Sequence, residues 1–212
     1  MTFMRHLIES NQNISLKQAM ATELIVENDT VKGVKDEFGL EYLAPAVILT
    51  TGTSLEGKCY VGLQYVNAGR MGERAATGLS ASLLKNGLEL KRLKTGTPAR
   101  VDSRTIDYSK MTIQPGDEEL RFFSFEPNRP VRKQYPCYLT RTTEKTHEII
   151  KNNLDKSPLY AGLIHGIGPR YCPSIEDKVV RFAHNPSHHI FIEPEGKDTY
   201  EIYVQGFSTS LP

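Results

Sequence analysis

Ala46-Val47-Ile48-Leu49-Thr50-Thr51-Gly52-Thr53 is an unbroken apolar run that ends on a glycine. A run apolar towards both faces predicts a strand buried in a parallel sheet. The residues before it predict an antiparallel meander. Glu23-Leu24-Ile25-Val26-Glu27 reads as a strand and Asn28-Asp29 as a turn. Thr30-Val31-Lys32-Gly33-Val34-Lys35 alternates as a second strand, Phe38-Gly39 turns, and Leu40-Glu41-Tyr42-Leu43-Ala44 continues the meander. A meander feeding a buried parallel strand predicts an α/β fold. Gly52 itself reads either as a turn glycine or as a place where a ligand approaches the backbone.

With 212 residues the chain has room for one or two domains and a sizeable core. A formal net charge of +1 advertises no nucleic-acid field over the whole surface. Local basic spots occur at Lys91-Arg92-Leu93-Lys94 and Arg129-Pro130-Val131-Arg132-Lys133. Cys59, Cys137 and Cys172 are far apart and form no CxxC pair, which argues against a zinc site or a disulfide scaffold and fits a reducing, cytoplasmic setting. No apolar run reaches membrane length, so no membrane partner is expected. Residues 1–13 show neither a hydrophobic strand nor a glycine-rich turn, and the chain stops soon after a strand-like run, so both edges read as cuts through a longer protein.

Gly69-Arg70-Met71-Gly72-Glu73 sets an arginine between two glycines. Leu79, Leu83, Leu84 and Leu88 recur at helical spacing before Asn86-Gly87, a helix-ending pair. Arg92-Leu93-Lys94-Thr95-Gly96-Thr97-Pro98 combines hydroxyls, a glycine and two cations, which suits an anionic ligand or an ordinary turn. Residues 101–138 are punctuated by Pro115, Pro127, Pro130 and Pro136 around short apolar pieces such as residues 120–125, and read as a β-rich insert. Tyr135-Pro136-Cys137-Tyr138-Leu139-Thr140 reads as a strand with a buried Cys137. Residues 142–154 predict a helix with Glu144, His147 and Glu148 on one face, a surface pair rather than a metal site, and Ile149, Ile150 and Leu154 on another. Strands over 188–194 and 200–206 predict a hairpin-like return. Ser208-Thr209-Ser210 reads either as a groove-facing turn or as a polar loop.

Gly166-Ile167-Gly168-Pro169-Arg170-Tyr171-Cys172-Pro173-Ser174-Ile175-Glu176-Asp177-Lys178 concentrates backbone-fixing residues, a thiol, two carboxylates and two cations. Pro173 suits the first turn of a helix, which the acids enter early and Arg181 closes late. Arg170, two residues before Cys172, favours thiolate over thiol, as does a following helix start. On spacing alone the same cysteine also reads as an inert, half-buried small residue.

This string resembles the signature of the GidA/MnmG family of flavoproteins that modify the wobble uridine of certain tRNAs. Arg92 to Pro98, Tyr135 to His147, the Ile190-Phe191-Ile192-Glu193-Pro194-Glu195-Gly196 run and Phe207 to Pro212 are similar to further strings of that family. The resemblance implies an α/β chain: part of a FAD-binding Rossmann-like domain of the glutathione-reductase type with an inserted β-rich α+β domain. Boundaries follow at 1–98 for part of the FAD domain, 99–195 for the inserted NAD- or substrate-side domain, and 196–212 for the return. The G-x-G-x-x-G fingerprint of such a domain occurs nowhere in the chain, so the pyrophosphate loop is expected upstream and FAD binding by this chain alone is expected to be weak.

The resemblance further implies FAD, NADH and methylenetetrahydrofolate as cofactors and co-substrate, a tRNA anticodon loop as substrate, an MnmE-type GTPase as partner, and a homodimer. It places cofactor contacts at Ala21, Thr51, Gly52, Thr53, Arg70, Thr77, Lys94, Thr95, Gly96, Thr97, Gly168, Pro169, Tyr171, Lys178 and Phe182. Cys172 becomes the candidate nucleophile or proton-transferring thiol, Arg170 its activator, Glu176 or Asp177 the base at uracil C5, and Lys178 with Arg181 the contacts to tRNA backbone. The family's second important cysteine lies outside the chain. A flavin-dependent disulfide reductase needs a CxxC or CxxxxC pair that is missing here, and a non-catalytic RNA-binding piece would carry an aromatic and basic stripe that is also missing.

Overall fold

A computed structural model describes residues 2–119, 121–123, 125, 133–166, 168 and 172–212. Leu120 and Ser124 of the apolar piece, residues 129–132 of the basic spot, Pro169, Arg170 and Tyr171 lie outside the described residues. The chain divides into two compact units, Met1–Cys59 with Tyr65–Lys91, and Tyr60–Gln64 with Arg92–Pro212. The break thus falls before the expected boundary at 98.

In the first unit Asn28 and Asp29 both adopt left-handed backbone, φ 50° and 57°. That is the geometry of a two-residue hairpin turn whose twist matches the flanking strands. The turn joins β1 (Ala21–Glu27) to β2 (Thr30–Asp36), and β3 (Glu41–Leu43) completes an antiparallel sheet in the order β1-β2-β3. Ahead of it, residues 2–9 form a short helix, α1 (Thr2–Glu9), on which Phe3, Met4, Leu7 and Ile8 recur at helical spacing. Strands β4 (Lys58–Val61) and β5 (Gln64–Asn67) pair around Tyr60–Gln64, which belongs to the second unit, and α2 (Leu79–Lys85) follows in the first. The buried Leu79 and Leu83 share one face of α2, and Ser82 on the same side accepts a bond from the Leu24 amide of β1 at 2.9 Å.

The expected parallel strand at 46–53 is not formed. Residues 46–50 carry no ladder, and Ile48 is 87% exposed. A strand exists only where neighbours accept from its amides and donate to its carbonyls, and among the described residues none pairs with this run. The strands of the three-stranded and five-stranded sheets all pair antiparallel.

The second unit is built on a five-stranded antiparallel sheet in the order β6-β10-β9-β8-β7. Its strands are β6 (Pro98–Asp102), β7 (Thr112–Gln114), β8 (Cys137–Arg141), β9 (His189–Pro194) and β10 (Glu201–Ser208). Strand β10, expected to lead back to the first domain, is an inner strand here. Alternation sets the core face: Ile190 and Ile192 on β9 and Ile202 and Val204 on β10 are buried together, with Ile192 opposite Val204. Helices α3 (Glu144–Lys151) and α4 (Ile175–Arg181) form a second cluster of Ile150, Ile175 and Val179. Phe207 of β10 packs against both clusters.

On α3 the expected faces are corrected. Ile149 is 55% exposed, whereas His147 is buried with Nε2 2.7 Å from Thr142 Oγ1. That oxygen also accepts from the His188 amide at 2.8 Å. His147 is therefore a core hydrogen-bonding residue, not half of a surface pair. The His188 imidazole, stacked 5.2 Å from His147, is pushed below its ordinary 6.5 by burial first, then by His147 and Lys178. The unfolded chain thus takes up a proton that the fold resists, so this contribution to stability is complete above about 6.5 and is lost as pH falls towards the folded value. His188→Gln is expected to flatten that acid limb in denaturation midpoints measured from pH 7 down to 5. An acid slope equal to that of the parent would contradict the assignment.

Candidate active site around the Cys172 helix

Helix α4 starts later than the sequence predicted, because its cap is Ser174 rather than Pro173. Ser174 Oγ accepts from the Asp177 amide at 3.2 Å, and Asp177 Oδ2 accepts from the Ser174 amide at 3.3 Å. This reciprocal capping satisfies two otherwise orphaned donors. Ile175 and Val179, four apart, face the core at 0% and 1% exposure. Cys172 lies two residues before the cap and is partly exposed, neither sealed in the core nor free in solvent.

The three residues after Ile175 each hold a different segment. Glu176, fully buried, accepts through one oxygen, Oε1, from the Ser210 amide at 3.1 Å and from Thr209 Oγ1 at 3.0 Å, with Ser157 Oγ at 3.5 Å. Asp177 Oδ2 pairs with the Lys94 ammonium at 3.4 Å, both side chains being more than nine-tenths buried. Its Oδ1 accepts from the Tyr160 hydroxyl at 3.4 Å, and burial together with this negative neighbour pushes the Tyr160 phenol up. Lys178 Nζ donates to the Gly206 carbonyl at 2.7 Å, and burial pushes its ammonium down.

Two glycines permit the closeness of these segments. A Cβ on Gly96 would stand 2.8 Å from the Ser208 Cβ. Gly206 has φ +90°, and a Cβ there would lie 2.8 Å from the His189 carbonyl. Thr209 donates its amide to Thr97 O at 3.4 Å, and Gly166 sits against the Arg92 and Lys94 backbone. Residues of three strings far apart in sequence, 92–97, 174–178 with Gly166, and 206–210, therefore converge on the helix that follows Cys172.

Each described residue expected at the site has a definite place in the fold. Glu176 and Asp177 were expected as bases, yet one is fully buried on the C-terminal loop and the other is a cap and ion-pair partner. Lys178 was expected on cofactor or phosphate, yet its ammonium is held by a main-chain carbonyl. Arg181 stays 71% exposed, 3.5 Å from Asp177. Of the other expected cofactor contacts, Ala21 opens β1, Thr51 and Gly52 form a turn with Gly52 at φ 57°, Thr53 and Thr77 are exposed, and Arg70 pairs with Glu73 at 3.0 Å, all within the first unit. Thr95, Thr97, Gly168 and Phe182 are exposed in the second unit, while Lys94 is buried.

Ser157 and Tyr160 were missed. They sit in a turn after α3 whose sequence carries no local sign of a partner on α4; only the Ser-Pro step, fully buried at Ser157 and Pro158, hints that this turn is interior. Cys137 is half-buried on β8, and burial next to Glu193 pushes its thiol up. Among the described residues no group of His, Cys, Asp or Glu could hold a metal, and no helix is long and apolar enough to cross a membrane.

An antiparallel meander with a left-handed glycine turn, and a sheet-and-helix unit presenting a half-buried thiol, fit a segment of an α/β flavoprotein. The chain belongs to the family described as glucose inhibited division protein A, whose model matches residues 1–212. It is 54% identical over 211 residues to the tRNA uridine 5-carboxymethylaminomethyl modification enzyme MnmG of Synechocystis sp., covering 99% of this chain and 33% of that protein. MnmG of Geobacillus thermodenitrificans is 54% identical over 209 residues, with the same coverage of 99% and 33%. The structure of Aquifex aeolicus GidA in its form I crystal superposes with a TM-score of 0.90 at 48% identity, covering 100% of this chain and 36% of that one. The form II crystal gives 0.88 at 43% identity. The chain thus spans about a third of the length of the curated relatives it matches.

Proposed function

We propose that this chain acts as part of a cytoplasmic, flavin-dependent enzyme that builds a (carboxymethyl)aminomethyl group on C5 of the wobble uridine of tRNA. The convergence of 92–97 and 206–210 on the helix that directly follows a half-buried Cys172 carries this reading. Relatives named for that modification align with 99% of the chain and support it.

The first unit fits one edge of a dinucleotide site. Gly52 has a left-handed φ of 57°, and nothing lies within 4 Å of where its Cβ would be, so a ligand can approach the backbone there. Ala21, Thr51, Gly52 and Thr53 would hold FAD from that side, in a Rossmann-like domain whose inserted second domain is the β-sheet unit. When bound, FAD, reduced by NADH, supplies the reducing equivalents for the one-carbon unit that methylenetetrahydrofolate donates.

The chemistry assigned to the chain's own residues centres on sulfur. Uracil C5 is a poor nucleophile. A thiolate adding at C6 makes C5 enolate-like; C5 then bonds to the electrophilic carbon, and loss of the C5 proton expels the sulfur and restores the pyrimidine. Cys172 serves as that nucleophile or carries the C5 proton, and both roles need it at the uracil. The exposed Arg181 and the hydroxyls of Thr95 and Thr97 lie on the surface open to tRNA phosphates. An MnmE-type GTPase and a second copy of the enzyme complete the assembly.

The test is mass analysis of wobble nucleosides in tRNA from cells lacking the gene that encodes this chain and from cells with it restored. The reading requires the carboxymethylaminomethyl uridine to vanish and return. Unchanged nucleosides in the deletion would reject it.

A further inference from the structure

We propose that Glu176 is a positioning residue of this reaction: it takes no proton from substrate, and instead clamps the Thr209-Ser210 loop to the helix that follows Cys172. The inference rests on the reading just given and concerns how its site is held in shape. Glu176 is fully buried and its carboxylate is used one-sidedly. Oε1 collects the Ser210 amide at 3.1 Å, Thr209 Oγ1 at 3.0 Å, Ser210 Oγ at 3.4 Å and Ser157 Oγ at 3.5 Å. Oε2 is buried with no hydrogen-bond partner among the described residues.

A general base must reach the proton it abstracts, within about 3 Å or through one water. A carboxylate with no exposed surface, whose bonded oxygen already accepts from a main-chain amide and hydroxyls, is placed to hold chain rather than to meet substrate. The loop it holds is fixed from the other side as well, since the Gly62 amide donates to Ser210 O at 2.8 Å. Thr209 Oγ1 also accepts the Leu211 amide at 3.1 Å, so one hydroxyl links the carboxylate to the next turn of loop. Releasing Oε1 therefore frees the segment that packs against Gly96 and Thr97, on the side of the site where anionic ligand contacts are expected.

The one-sided use makes the test sharp. An amide can keep its oxygen at the Oε1 position and place its nitrogen where Oε2 now has no partner. Steady-state tRNA modification is measured for the protein produced from its own gene, as wild type, Glu176→Ala and Glu176→Gln. Clamping predicts that Glu176→Ala lowers kcat about tenfold or more while KM for tRNA stays within about threefold, since small displacements in a reacting site are costly. It predicts that Glu176→Gln stays within about fivefold of wild type with an unchanged pH profile of kcat. A Glu176→Gln enzyme as inactive as Glu176→Ala, or one that has lost a limb of its pH profile, overturns the proposal in favour of a proton carrier. Wild-type kinetics in Glu176→Ala overturn it as well.

If Glu176→Ala does not fold, Thr209→Val removes a loop donor and is expected to lower kcat with KM unmoved; a Thr209→Val enzyme equal to wild type then overturns the clamp. If the wild-type protein modifies no tRNA, the functional reading fails and the clamp is read separately. Faster hydrogen exchange at the Ser210 amide in Glu176→Ala, but not in Glu176→Gln, supports it, and equal protection in both overturns it.

Discussion

Asp177→Ala is expected to destabilise the protein by about 3–5 kcal/mol, because it strands the buried Lys94 ammonium without a counter-charge. Both partners are more than nine-tenths buried, with side-chain exposures of 6% and 8%. The mutation also removes the acceptor for the Ser174 amide and for the Tyr160 hydroxyl, and a lost helix cap by itself costs about 1 kcal/mol. Asp177→Asn keeps an acceptor for the cap and separates the two effects. Combining either change with Lys94→Met is expected to cost less than the sum of the single changes, since the stranded charge is then gone. Urea denaturation of the wild type, the three single variants and the two double variants measures the coupling. A cost below about 1 kcal/mol for Asp177→Ala would class the pair with solvated surface bridges and would remove the main tie between the 92–97 string and the Cys172 helix.

Much of the local structure was legible because its causes are local. Asn28-Asp29 tolerates the left-handed backbone that a tight hairpin needs, and it makes that hairpin. The helix after Cys172 was legible from its early acids and late Arg181, though not its cap, where Ser174 and Asp177 stand three apart and cap each other. The alternation of Ile190 with Ile192 and of Ile202 with Val204 marked the paired core strands β9 and β10. What was not legible depends on distant partners. The run at 46–53 has the composition of a buried strand, but composition says nothing about whether a ladder is present to receive it. His147 was read from its helix face as solvent-facing, and Thr142 with the interior claimed it instead.

The same division holds at the site. That Glu176, Asp177 and Lys178 belong beside Cys172 could be read directly from the string. That each grips a different segment could not, since Thr209, Lys94 and Gly206 lie 33, 83 and 28 residues away along the chain. Acidic residues near a thiol suggest proton transfer until their partners are known. Here the partners tie Glu176 to the C-terminal loop and Asp177 to Lys94 and the helix cap.

The Cys172 sulfur is the centre of the account. Cys172 is half-buried and precedes the capped helix, whose residues 176–178 three separate anchors hold in place. Its side chain carries none of these anchoring bonds, so Cys172→Ala in the full-length enzyme is expected to leave fold and flavin intact while removing the proposed nucleophile. The most direct test is the rate of wobble-uridine modification by Cys172→Ala, measured by nucleoside mass analysis on protein whose flavin absorbance equals that of wild type. The account predicts a loss of about a hundredfold or more. Modification at the wild-type rate by the flavin-loaded variant would contradict it.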